Sequence, residues 1–84
     1  MKIVFADRGW EDFTYWVEND RKIAARIVRI IKEIRREPFE GLGKPEPLRH
    51  DMAGFWSRRI TDEHRLVYAV DKDSVLIAQA RYHY

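Results

Sequence analysis

Three places in this 84-residue chain combine residue types that could do acid–base or phosphate chemistry. Glu46 stands in Lys44-Pro45-Glu46-Pro47-Leu48, between two prolines. A residue before proline is pushed towards extended conformations, and the flanking prolines have fixed φ and no N–H to donate. The carboxylate is therefore presented from a stiffened backbone, with Lys44 and Arg49 close in sequence, as a general base requires. A surface glutamate in a rigid turn is the other reading. Arg58, Arg59, Arg65 and Arg81 form the second group. Strand alternation puts Arg65 with Val67 and Ala69, and Arg81 with Gln79 and His83. If Asp71-Lys72-Asp73 is a three-residue loop, Val70 pairs with Ser74 and Arg65 shares a face with Arg81 and His83. A two- or four-residue loop puts them on opposite faces. With no glycine marking the turn, both registers stay open, and a polar solvent face is the plain alternative. The third place is Arg81-Tyr82-His83-Tyr84. Histidine shuttles protons near neutral pH, the carboxylate of the neighbouring last residue would favour its charged form, and Tyr82 and Tyr84 could stack on bases. An incidental histidine is the alternative there.

Together the three compose one reaction. Transesterification of RNA needs a carboxylate base, a histidine acid and a cation. Glu46 would take the proton of a 2′-hydroxyl, whose oxygen attacks the adjacent phosphate. Arginine would stabilise the developing charge, and His83 would protonate the departing 5′-oxygen. The 2′-hydroxyl is the nucleophile, so DNA would not react, and the scheme requires no metal or other cofactor. Other chemistries fit worse. Gly41-Leu42-Gly43-Lys44 lacks full phosphate-loop spacing and precedes Pro45 rather than a helix. His50, His64 and His83 show no metal-ligand spacing, and Ser57 and Ser74 have no base and acid arranged around them. The absence of cysteine excludes thiolate zinc sites and a disulfide framework, and fits a reducing compartment.

The elements that must hold these groups can be read from periodicity. Lys2–Phe5 predicts a short strand, and Asp7 offers a helix N-cap. Trp10, Phe13, Trp16 and Val17 share one helical face, predicting a helix over about residues 8–18. Asp20 can cap a second helix whose stripe is Ile23, Ile27, Ile30, Ile31 and Ile34, with Lys22, Arg29, Lys32 and Arg36 opposite. Pro38 ends it. Residues 38–54 form a proline- and glycine-rich surface loop. Strands follow over 55–61, 65–70 and 75–82. The sum is a single α+β domain over residues 1–84: an N-terminal strand and an αα-hairpin packed on one face of an antiparallel sheet, the other face left free to bind. Charge is unevenly spread, with residues 21–43 carrying seven basic and three acidic groups. Most of the sixteen cations are arginine, which suits bidentate phosphate contacts. A polyanionic partner or a solvated basic face are both compatible with it. The apolar stretch after Met1-Lys2 is too short for a signal-peptide core or a membrane span, so a soluble cytoplasmic protein is expected.

The segments Pro38-Phe39-Glu40-Gly41, Gly43-Lys44-Pro45-Glu46-Pro47-Leu48, Gly54-Phe55-Trp56-Ser57-Arg58-Arg59-Ile60, His64-Arg65-Leu66-Val67-Tyr68 and Arg81-Tyr82-His83-Tyr84, in this order, resemble the YoeB toxins of bacterial toxin–antitoxin pairs. The resemblance spans the whole chain. It implies a RelE-like, microbial-RNase-like fold and an endoribonuclease that cleaves mRNA in the ribosomal A site, halting translation. It also implies a YefM-type antitoxin and toxin homodimers, with no membrane partner. On matching positions it implies Glu46 as base, His83 as acid, Arg65 as the phosphate-stabilising cation, and Tyr84 as a catalytic residue orienting His83. Lys44, Arg49, Arg59 and Arg81 become substrate-binding residues. Arg49 stands where close relatives are expected to carry lysine, which keeps the charge. The alternative classes are a non-catalytic ribosome- or RNA-binding module and an inactive antitoxin decoy. The intact Glu46, Arg65 and His83 set argues against both.

Overall fold

The computed structural model describes residues 1–83; Tyr84, called here as a catalytic residue, lies outside them. The chain opens with β1 (Lys2–Phe5) and passes directly into α1 (Asp7–Asn19). Asp7 is the first helical residue rather than the cap. Ala6 takes that place in an extended conformation, its N–H donating to the carbonyl of Ile77 in the sheet; its methyl side chain has no acceptor with which to cap. Asp7 instead lends its charge to the positive end of the helix. Asp20 behaves as expected: its carboxylate accepts the N–H groups of Lys22 and Ile23 at 3.2 and 3.3 Å. Its own N–H closes α1 on Trp16 O, so one residue ends one helix and starts the next.

Helix α2 (Arg21–Arg36) buries Ile27, Ile30, Ile31 and Ile34, with Ile23 partly covered. It stops two residues before Pro38, where the residue preceding a proline loses the helical region. The stripe predicted for α1 is only half right. Trp16 is buried, but Trp10 is 54% exposed and Val17 38%, and the buried line runs through Gly9, Asp12 and Trp16. The reason is close approach. Gly9 sits on the main chain of Ile77, and a Cβ there would overlap that carbonyl. The helix is rolled until its glycine meets the strand, which lifts Trp10 to the rim against Phe5 and Phe13.

The remaining strands are β2 (Glu46–Pro47), β3 (Trp56–Arg59), β4 (Arg65–Val70) and β5 (Ser74–Gln79), in the order β1-β5-β4-β3-β2. The meander β2 to β5 is antiparallel, and β1 adds to β5 in parallel, so the whole sheet is mixed. Leu66, Tyr68, Val75 and Ile77 face the helices and form the core with the isoleucines of α2. Among the described residues no helix is long and apolar enough to cross a membrane.

Register between β4 and β5 decides which residues share the open face. Val70 pairs with Val75, not with Ser74. Asp71 shapes the turn by accepting from Asp73 N, Ser74 N and Ser74 Oγ; bonds from the Asp73 and Ser74 N–H groups hold its carboxyl below the ordinary range. Tyr68 then pairs with Ile77, but Val67 pairs with Gln79, so Ala78 is an inserted residue. That bulge returns Gln79 to the face of Val67. The strand ends there, short of the predicted Tyr82.

Two outcomes follow. Gly9→Ala should destabilise the fold by about 1–3 kcal/mol, read as a lower thermal midpoint; an unchanged midpoint would mean the helix does not rest on Ile77. Burial raises the Tyr68 phenol above its ordinary 10.0, opposed by the bond and charge of Arg58. A raised folded value gives stability that is complete below pH 10 and lost as pH climbs through it. Denaturant midpoints should therefore fall above pH 10, and less so in Tyr68→Phe.

Candidate active site on the open face of the sheet

Glu46 owes its place to a residue on the opposite face. Arg58 of β3 points into the core side and is 0% exposed. Its Nε donates to Tyr68 Oη at 3.1 Å and its Nη1 to Leu42 O at 3.1 Å. Its Nη2 donates to Glu37 O at 2.6 Å and Glu40 O at 2.9 Å. Tyr68 Oη–H in turn donates to Pro38 O at 2.7 Å. The loop after α2 is thus fastened along its length by one guanidinium. Gly41, Gly43 and Lys44, all at positive φ, then turn the chain into β2. Arg59 N–H donates to Gly43 O at 2.7 Å, and Leu48 N–H to Phe55 O at 2.8 Å, so Glu46 is bracketed on both sides.

The register Glu46↔Ser57, Ser57↔Val67, Val67↔Gln79 sets four residues in one row across β2, β3, β4 and β5 on the face away from the helices, with Ser57 and Val67 buried at its middle. At ordinary strand spacing the row is roughly 14 Å wide at the main chain. Glu46 is exposed at one end. At the other, Gln79 Nε2 donates to the His83 carbonyl at 3.1 Å, which brings the main chain of His83 to the row. The neighbouring row is Arg59↔Arg65, both half-buried. Arg65 Nη1 donates to Thr61 O, Asp62 O and His64 O at 2.7–3.2 Å. Its Nε and Nη2 edge has no hydrogen-bond partner among the described residues. Like charges directly opposite one another are destabilising. Yet the ion pairs among the described residues are Arg8–Asp12, Arg36–Glu33 and His64–Glu63; none neutralises Arg59, Arg65 or Glu46. Two arginines held side by side with no carboxylate paired to them among the described residues offer what binding an anion requires.

The structure thus places Glu46, Arg59, Arg65 and the His83 main chain around one face. Lys44 is exposed in the turn before β2. Arg49 lines an open groove of about 590 Å³ that begins at Glu46 and runs past His50 to Met52. Arg81 is elsewhere. Its guanidinium lies 3.6 Å over the Tyr15 ring of α1 and 4.7 Å from that of Tyr82, and its buried Nε has no hydrogen-bond partner among the described residues. It was expected within the last strand, on the face of Arg65 in one of the two open registers; β5 ends at Gln79 instead, and Arg81 turns to the helix. Sequence reasoning gave no role to Gln79 or His64, although both hold the final segment. The available signal for Gln79 was its shared alternation with His83. His64 opened one of the segments that carry the family resemblance, but its residue type and spacing gave it no role. Among the described residues no group of three or more His, Asp or Glu is arranged to hold a metal ion.

Two helices on one face of a five-stranded sheet, with a strand-edge glutamate and two arginines lacking an ion pair among the described residues on the other, define a RelE-like toxin fold, the architecture of the toxin–antitoxin complex RelBE2 of Mycobacterium tuberculosis, matched at a TM-score of 0.72 and 26% identity over 98% of this chain and 96% of that one. The chain belongs to the family described as YoeB-like toxin of bacterial type II toxin–antitoxin system, whose model matches residues 5–84. It is 61% identical to Toxin YoeB of Escherichia coli O6:H1 over 84 residues, all of both chains. A YoeB dimer from Staphylococcus aureus superposes with a TM-score of 0.94 at 44% identity, covering 100% of this chain and 98% of that one. A YoeB–YefM complex from the same species gives 0.92 at 42% identity with the same coverage.

Arg58→Met should cost about 3–5 kcal/mol, because three part-buried main-chain carbonyls lose a donor and the Tyr68 hydroxyl loses one of its two partners. Arg59→Met, which strips no buried partner, should change stability by less than about 1 kcal/mol. Equal losses in denaturant titrations of the two would refute the division of roles between these neighbours.

Proposed function

We propose that this toxin is a ribosome-dependent mRNA endoribonuclease that cuts in the A site by transesterification from the 2′-hydroxyl. The observation that carries the reading is the Arg59–Arg65 pair, without an ion-pair partner among the described residues, set beside the row that joins Glu46 to the main chain of His83. A phosphodiester laid on this face meets a cationic edge at Arg65. Glu46 takes the 2′-hydroxyl proton, and the oxygen bonds to phosphorus. The charge growing on the non-bridging oxygens falls on the free edge of Arg65. His83 gives its proton to the 5′-oxygen as that bond breaks. The products are a 2′,3′-cyclic phosphate and a 5′-hydroxyl. Base, acid and cation all come from side chains, so the scheme uses no metal.

Lys44, Arg49 and Arg59 serve the flanking phosphates, and Tyr84 keeps the role of orienting His83 that the family resemblance implies. Arg81, stacked on Tyr15, steadies the final segment rather than the RNA. The face is shallow and its groove open, so little in the chain alone would immobilise an RNA; this supports a substrate presented by the ribosome. The Staphylococcus aureus YoeB–YefM complex and YoeB dimer support a YefM-type antitoxin and a homodimer here. A segment that orders on binding can neutralise the arginine pair by covering it.

Cleavage of A-site mRNA on bacterial ribosomes should leave cyclic phosphate and 5′-hydroxyl ends. On a substrate whose binding needs no Mg²⁺ it should persist in EDTA. A 2′-deoxy residue at the cut should abolish it. Glu46→Ala and His83→Gln should each lower the single-turnover rate by ~10²–10⁴-fold with the fold retained. A 5′-phosphate product would rule out the mechanism, and translation arrest without new RNA ends would identify a binding module.

A further inference from the structure

Beyond Gln79 the chain leaves the ladder, and side chains take over the task of pairing its main chain. The Ala80 N–H donates to Asp12 Oδ2 at 2.9 Å, and its carbonyl accepts the Trp16 indole N–H at 2.8 Å. The Tyr82 N–H donates to His64 Nδ1 at 2.8 Å, and its carbonyl accepts the Arg65 N–H at 3.0 Å. Gln79 Nε2 reaches the carbonyl of His83 at 3.1 Å and that of Arg81 at 3.4 Å. Tyr82 has φ +64, a left-handed conformation that a tyrosine adopts only when its surroundings impose it. Bonds to both its main-chain groups impose it here. The reversal at Tyr82 directs the chain so that the next residue, His83, meets the amide of Gln79.

His64 is built for that task. It is 8% exposed, edge-on to Trp16 with ring centres 4.8 Å apart, and beside the Tyr82 ring at 5.6 Å. An imidazole that accepts at Nδ1 carries its proton on Nε2, and Nε2 faces Glu63 Oε1 at 3.6 Å. Ring packing fixes the direction of the lone pair, and the lone pair fixes Tyr82.

We propose that His64 and Gln79 are positioning residues that set where the His83 imidazole stands relative to Glu46 and Arg65. This rests on His83 being the general acid. Neither residue touches RNA in this scheme; each acts through the main chain on either side of the acid. Misplacing a reacting group by about 1 Å costs on the order of 10²-fold in rate.

The test compares variants of the full chain cleaving A-site mRNA on bacterial ribosomes, reading the maximal single-turnover rate, the half-saturating toxin concentration and the melt. His64→Leu fills the space without an acceptor. His64→Asn places Oδ1 where Nδ1 stood, at the same number of bonds from Cα. His64→Leu should lower the maximal rate about 10- to 100-fold at unchanged half-saturation, and His64→Asn should recover most of it. Gln79→Met should show a loss of the same kind. Adding His64→Leu to His83→Gln should cost nothing further, since no acid remains to misplace. A folded His64→Leu that cleaves at the wild-type rate, or His64→Asn no better than His64→Leu, overturns the proposal for His64. If His64→Leu fails to melt cooperatively, Gln79→Met decides, and a wild-type rate there overturns it. His83→Gln at the wild-type rate removes the acid assignment itself, and the positioning role with it; that result is distinguishable because only it spares the acid's own variant.

Discussion

Taking a guanidinium out of water costs several kcal/mol, and a core built from 84 residues has little to spare, yet Arg58 is wholly buried. What makes this tolerable is that every nitrogen has a partner, all of them neutral: a phenol and three main-chain carbonyls. Those carbonyls belong to a proline- and glycine-rich loop with no ladder of its own, and the guanidinium supplies the donors that a ladder would otherwise provide. The cation completes the loop and the loop solvates the cation. A lysine, with one nitrogen and no planar fork, could not span the same set. Because this exchange lies under β3, it fixes the approach to β2, and the glutamate on the far face inherits a rigid footing from a charge it never touches.

The two faces of the sheet treat charge in opposite ways. On the helix side a cation is surrounded by dipoles until it is fully satisfied. On the open side Arg59 and Arg65 are set opposite each other and given no ion-pair partner among the described residues. Such an arrangement lowers stability, and in the proposed reaction it would hold field in reserve for the phosphate. Three carbonyls occupy one nitrogen of Arg65, so its remaining edge is aimed rather than merely available.

The sequence was most readable where one local cause determined the outcome. The isoleucine period of α2, its Asp20 cap and its stop before Pro38 each depend on neighbours in sequence, and β4 was placed over the residues it occupies. The failures were tertiary. The roll of α1 comes from the contact of Gly9 with Ile77, sixty-eight positions away, and no helical period records it. The turn alone would have set Arg65 apart from the residues after β5, and the bulge at Ala78 reverses that parity for Gln79. Arg81 was misplaced because α1 side chains, not a strand, pair with Ala80. For the candidate site, Glu46 and Arg65 stood out because prolines and a strand arginine are conspicuous, and the sheet sets both on one face. His64 was not, since a histidine accepting a single N–H leaves no pattern.

The prolines beside Glu46 also govern the border of the sheet. Leu48 turns its N–H towards β3, so by alternation Glu46 does likewise, and Pro45 and Pro47 face outward. The rim of β2 therefore has no N–H to offer at either position. A neighbouring chain seeking to extend the sheet there finds acceptors without donors, and the strand is only two residues long. Proteins commonly guard exposed edges against fibrous self-association with proline and with short strands. Here the same pair of residues that stiffens the backbone around Glu46 closes that side of the sheet to polymerisation.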